Sequence, residues 1–182
     1  MTQLSVFTDE QIDLIVSVPY RIGMNVSYAE DEDGELDDER EMRALEACLS
    51  EMSKHEGHCD LSREIASQIL QSKDKWSAWS EGVFNVAPLC EKAVAEIKTQ
   101  AGKDNAKDYV AMCLEIASAV AQAYGEFGDG AHDERGFFGK AMGRIVGGFS
   151  GMNSDDANHP MNVSAAEDSA IAVIKAALQK NI

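Results

Sequence analysis

Carboxylates are the residues in this chain best placed to do chemistry. Nine of the twelve residues from Glu30 to Glu41 are Asp or Glu. Like charges this crowded repel one another, and a hard divalent cation with oxygen ligands relieves the repulsion. The competing reading is that these acids sit near a helix N-terminus, complement its dipole and stay solvated. Both readings stand at this point. An EF-hand is excluded by register. Gly34 at loop position six puts Ala29 at position one and Arg40 at position twelve, so the first acid and the closing bidentate Glu are both missing.

Other chemistry is thinly represented. His55, His58 and Cys59 are soft ligands within five residues. They lack the second ligand pair that structural zinc requires and form no HExxH motif. They are read as a polar loop at a helix end. His132 and His159 stand alone in the sequence and receive no role. There is no GxSxG elbow, P-loop or GxGxxG after a strand, each of which has a mechanical reason for its spacing. Trp76 and Trp79 fall at helical spacing and are read as core. The expectation is a protein that is not an enzyme.

The cysteines Cys48, Cys59, Cys90 and Cys113 are widely and irregularly spaced, with no CxxC. They read as buried free thiols of a reducing, cytoplasmic compartment. No basic n-region with an apolar signal-length run opens the sequence, and no apolar run is long enough to span a bilayer.

Charge selects among partners. With 32 Asp and Glu against 16 Lys and Arg, the formal net charge is −16. Such a surface repels phosphate backbones over a Debye length of ~8 Å, so nucleic acid is excluded as a partner. Cations, or a protein with a basic face, are favoured. The segment Phe137–Phe149 differs: it is apolar, locally basic and free of acids. It reads either as a packed closure of the bundle or as a contact for a membrane surface or a partner.

These residues need elements to position them, and the periodicity is helical almost throughout. Thr8 and Gln11 form a capping box ahead of Ile12, Ile15 and Val18. Pro19 predicts the first turn of a second helix. A third helix follows from Asp37, with Met42, Leu45, Cys48, Leu49 and Met52 on one stripe. Leu61, Ile65 and Ile69 mark a fourth; Pro88 opens another, which ends near Gly102. The longest runs from about Asp104 through Tyr109, Cys113, Ile116 and Val120. A short helix is expected over about 133–146. Ser164 and Glu167 cap the last, which carries Ile171, Ile174 and Leu178. Nothing of useful length alternates with period two. The expected fold is all-α: a compact single domain over 1–182, with about seven to eight helices and a glycine-rich insert at about 128–161.

A loose internal repeat emerges from that layout. Asp33-Gly34 separates an apolar helix from one with an acidic start, and Gly128-Asp129-Gly130 does the same ahead of Glu167-Asp168 after the insert. Ser27-Tyr28-Ala29-Glu30 leading into Asp33-Gly34-Glu35-Leu36-Asp37-Asp38-Glu39-Arg40, together with Phe7-Thr8-Asp9-Glu10-Gln11 and Pro19, resembles the TerB-like helical domain of bacterial tellurite-resistance proteins. The match is best over about 7–53 and looser over 104–130 and 163–178. The extra acids Asp31 and Glu32 and the interrupted second copy depart from the family pattern. The resemblance implies two related helical halves and a divalent cation (Ca, Mg, Mn or Zn) held by acids at the paired turns. It further implies a stress-response role within larger, sometimes membrane-associated complexes. By the same resemblance, the metal ligands are Asp33, Asp37 and Glu39, with Asp129 and Glu167 from the second turn.

Overall fold

A computed structural model describes residues 3–29, 35–54, 57–126 and 165–182. Among these there are seven α-helices and no strands, so the chain is all-α. The helices are α1 (Asp9–Ser27), α2 (Glu35–Lys54), α3 (Asp60–Gln71), α4 (Trp76–Ser80), α5 (Ala87–Gln100), α6 (Lys103–Glu126) and α7 (Ala165–Gln179). The short helix expected over 133–146 and the glycine-rich insert lie outside the described residues.

The start of α1 follows from local chemistry. Thr8 Oγ1 accepts from the Gln11 backbone N–H at 3.3 Å, and Gln11 Oε1 accepts from the Thr8 N–H at 2.9 Å. Two donors that the first helical turn leaves unpaired are thereby satisfied. The expected break at Pro19 does not occur: α1 runs unbroken from Asp9 to Ser27 with Pro19 inside it. Proline has no N–H to give to the carbonyl four residues earlier, and that loss ordinarily breaks or kinks a helix. Here the carbonyl is Ile15 O, and the buried Tyr109 hydroxyl of α6 donates to it at 2.9 Å. A tertiary contact fills the gap that the sequence leaves.

α6 is the axis of the bundle, packed by α1, α2, α5 and α7. Its buried side chains include Tyr109, Met112, Cys113, Ile116, Ala117 and Val120. Each fully buried large apolar side chain contributes roughly 1.5–3 kcal/mol. The stripe expected on α2 is buried as well, through Leu45, Cys48, Leu49 and Met52. Gly23 lets α1 approach closely: a Cβ there would lie 3.1 Å from Leu45 Cδ1 and 3.5 Å from Ile116 Cγ2. Trp76 and Trp79 are core, as their spacing predicts. The Tyr20 ring lies 4.9 Å from the Trp76 ring and 5.8 Å from that of Trp79, and Trp76 Nε1 donates to Ile69 O. The α5–α6 turn needs Gly102, whose φ of 92° suits a residue without Cβ.

Direction follows from these contacts. Ile15 meets Tyr109, and Gly23 meets Ile116 one helical stretch further on, so α1 and α6 run parallel. Gly23 also meets Leu45, and α2 returns alongside both. Hence α1 ends, α2 begins and α6 ends at the same end of the bundle. α7 packs on α5 and α6; beyond it, Lys98 Nζ donates to Asn181 O and Lys180 Nζ meets Glu91 Oε2 at 2.7 Å.

Candidate functional site

The residues expected to hold a cation are only partly described. Asp33 and Asp129 lie outside the described residues. Asp37 and Glu39 fall in the first turns of α2, and their side chains are likewise outside the description. Glu167 is in the first turn of α7 and is 1% exposed, where the helix dipole favours its charge. α2 begins at Glu35, earlier than a cap at Asp37 allows. Among the described residues no group of three or more His, Cys, Asp or Glu is arranged to hold a metal ion.

A different charged cluster is assembled where α3 begins. His58 precedes the helix and Cys59 is its N-cap residue, which makes no side-chain capping bond. α6 supplies the missing anion: Asp108 Oδ2 accepts from the Cys59 backbone N–H at 3.1 Å. A carboxylate at that point complements the positive end of the helix dipole. Two turns further along α6, Glu115 Oε2 lies 3.1 Å from His58 Nε2. The other ring nitrogen, Nδ1, is 3.4 Å from Asp108 Oδ2, an ion-pair contact without hydrogen-bond geometry. The His58 and Glu115 side chains are 5% and 9% exposed.

The electrostatics follow from this enclosure. Asp108 first and Glu115 second favour the protonated ring against the opposing effect of burial, and they raise His58 from 6.5 to about 9. At neutral pH it is an imidazolium. Burial alone would raise Asp108; the contacts with His58, Ser62 and Cys59 outweigh it and hold the carboxyl well below its usual range. Burial raises the Cys59 thiol, whose Sγ–H is directed to Ser62 Oγ at 3.5 Å. Nearby, burial pushes the Cys48 thiol up to about 12, with the Glu115 charge adding to the effect.

Chemically this cluster is an internal ion pair. Both imidazole nitrogens face carboxylates, so neither is open to take a proton from a nucleophile. The thiol beside it is held in its unreactive form. What the cluster does is join the α2–α3 connection to α6. Sequence reasoning placed His58 and Cys59 in a polar loop and missed their partners, which are 49 to 57 residues away. One signal was present: Glu115 is the sole charged residue in the apolar stretch from Tyr109 to Gln122, and a lone buried acid requires a partner.

Of the four thiols, Cys48, Cys90 and Cys113 are buried and Cys59 is half-buried; all are free. Among the described residues no helix is long and apolar enough to cross a membrane. Compared with known proteins, the chain matches no family model, no curated protein and no solved structure.

Proposed function

We propose that this chain is a non-catalytic helical domain of TerB-like type, bacterial and cytoplasmic, acting in a stress response. It binds a divalent cation, a protein partner or both through the acidic turn between α1 and α2. The observation that carries this reading is the common end of three helices. α1 leaves and α2 enters where α6 also leaves, as the contacts of Ile15 with Tyr109 and of Gly23 with Leu45 and Ile116 require. In the sequence, Asp33 lies between α1 and α2, Asp37 and Glu39 belong to the first turns of α2, and Asp129 follows α6. On this reading, carboxylates from two parts of the chain share an ion. Glu167, buried at the start of α7, is the fifth acid of the set.

Thermal unfolding with and without excess Ca²⁺, Mg²⁺, Mn²⁺ or Zn²⁺ tests the cation. A hundredfold excess over the dissociation constant adds about 2.7 kcal/mol, which raises Tm by roughly 5–10 °C for a domain of this size. The shift should vanish in the Asp33→Asn, Glu39→Gln double variant. No shift with any of the four ions, or an undiminished shift in that variant, ends the cation reading.

A metal-independent interaction module is the second reading, and one observation favours it. Phe84 is 77% exposed and Tyr28 38% exposed, and their rings lie 6.2 Å apart. In the sequence Tyr28 is followed, after Ala29, by the acidic run that begins at Glu30. Together they suit a basic protein face. Salt-sensitive binding that is indifferent to metal and weakened by Phe84→Ala supports this reading over the first. The segment Phe137–Phe149, offered above as a peripheral membrane contact, lies outside the described residues.

A further inference from the structure

The exposure of Phe84 is built into the backbone that carries it. The residue belongs to the 3-10 turn Val83–Asn85 between α4 and α5, where positions three apart fall on the same side. Val83 and Val86 are both buried in the core, and Phe84 between them is turned outward. The turn starts at Gly82, whose φ of 73° suits a residue without Cβ, and the Asn85 N–H donates to Gly82 O at 3.1 Å. Two side chains from the last two turns of α1 pin the backbone. Asn25 Nδ2 donates to Val83 O at 3.0 Å, and Arg21 Nη1 donates to Glu81 O at 2.7 Å. Tyr28 meets the Phe84 ring on one side and leaves most of it open.

We propose that Phe84 is the docking point for an arginine-bearing basic segment of another protein. This rests on the metal-independent reading above and names the chemistry of its partner. Asn25 and Arg21 hold the turn at the end of the bundle where α1 ends and α2 begins. The first two turns of α2 include Glu35, Asp37, Asp38, Glu39 and Glu41 against Arg40. Lysines mark the opposite end: Lys54 closes α2, Lys98 is in the last turn of α5 and Lys103 opens α6. The Phe84 end is therefore the one that complements a cationic partner. A second copy of this chain would bring the same acids and be repelled, as would an anionic lipid surface. Among basic side chains, arginine suits an open ring better than lysine. Its guanidinium is planar, more weakly hydrated than an ammonium, and stacks on aromatic faces. Because the turn is already pinned, little ordering of the chain opposes the contact.

Titration of the ¹⁵N-labelled full chain in EDTA tests the assignment. The probes are a capped peptide of alternating arginine and glycine, its lysine counterpart and its uncharged citrulline counterpart. The expected result is a saturable, salt-sensitive shift of amides in 25–28 and 81–86, with the arginine peptide bound about two- to fivefold more tightly than the lysine peptide. The citrulline peptide should not saturate. Phe84→Leu keeps an apolar side chain but removes the ring, so it should abolish the preference for arginine and leave the lysine peptide bound as before. Structural damage would instead weaken both peptides together, and unchanged circular dichroism verifies folding. Equal binding of the two basic peptides, a preference that survives in Phe84→Leu, or shifts confined to other residues overturns the proposal and leaves the metal-independent reading in place. Failure of both basic peptides to bind overturns the two together.

Discussion

The Tyr109 hydroxyl donates to the Ile15 carbonyl at 2.9 Å across the buried α1–α6 interface, and that carbonyl is the one Pro19 cannot serve. Tyr109→Phe should destabilise the fold by about 1–3 kcal/mol, the cost of leaving a buried acceptor unpaired. In a Pro19→Ala background residue 19 has an N–H to offer, and the same Tyr109→Phe change should then cost less. Denaturant unfolding of the four-member cycle measures the coupling. A cost independent of residue 19 would refute the link.

Glu115 is buried against His58, and neither is easily lost alone. Removing one partner of a buried ion pair typically costs about 3–5 kcal/mol, because the other charge stays behind without compensation. His58→Ala should show a loss of that order in urea or thermal unfolding. Replacing both, as His58→Leu with Glu115→Met, should recover most of it. A double variant as unstable as the single one would mean that shape rather than charge holds the α2–α3 connection to α6.

The pH dependence of stability has a defined sign. His58 is raised to about 9 from 6.5, so its contribution is complete below about pH 6.5 and is lost as pH rises through about 9. Asp108 is lowered from 3.8, so its contribution is present above about pH 4 and is lost as pH falls further. Buried thiols add to the alkaline loss only above about pH 9, where unfolded cysteine ionises and folded cysteine does not. Unfolding free energy should be flat near pH 5–6 and decline from about 6.5 to 9. The His58→Leu, Glu115→Met variant should not show that decline.

Thiol labelling of the native protein should be ordered by burial. Cys59 is half-buried and should react first, though slowly, because its thiol is raised. Cys90 is pushed up to about 12 by burial, and burial raises Cys113 well above the usual thiol range. These two and Cys48 should react with N-ethylmaleimide only on unfolding. Mass spectrometry of peptides from a time course distinguishes one early label from four simultaneous ones.

Local pattern was enough to establish that this chain is helical and which face of each helix is buried. The stripe from Leu45 to Met52 and the run from Tyr109 to Val120 are local patterns, since a period near 3.6 puts those side chains on one side whatever they pack against. The capping box at Thr8 was legible for the same reason: donor and acceptor are three residues apart. For the acidic run the sequence supplied the residue types and their density.

The rest came from the packing of helices, because the partners are far apart in the chain. Pro19 by local rules ends a helix, and nothing near it reveals that a tyrosine 90 residues later supplies the bond its ring cannot. His58 reads as a loop histidine until α6 brings Asp108 and Glu115 to its two nitrogens. Periodicity dictates which surface a residue faces. Hydrogen bonds and ion pairs depend on distances of about 3 Å, and those exist only once helices have chosen their neighbours.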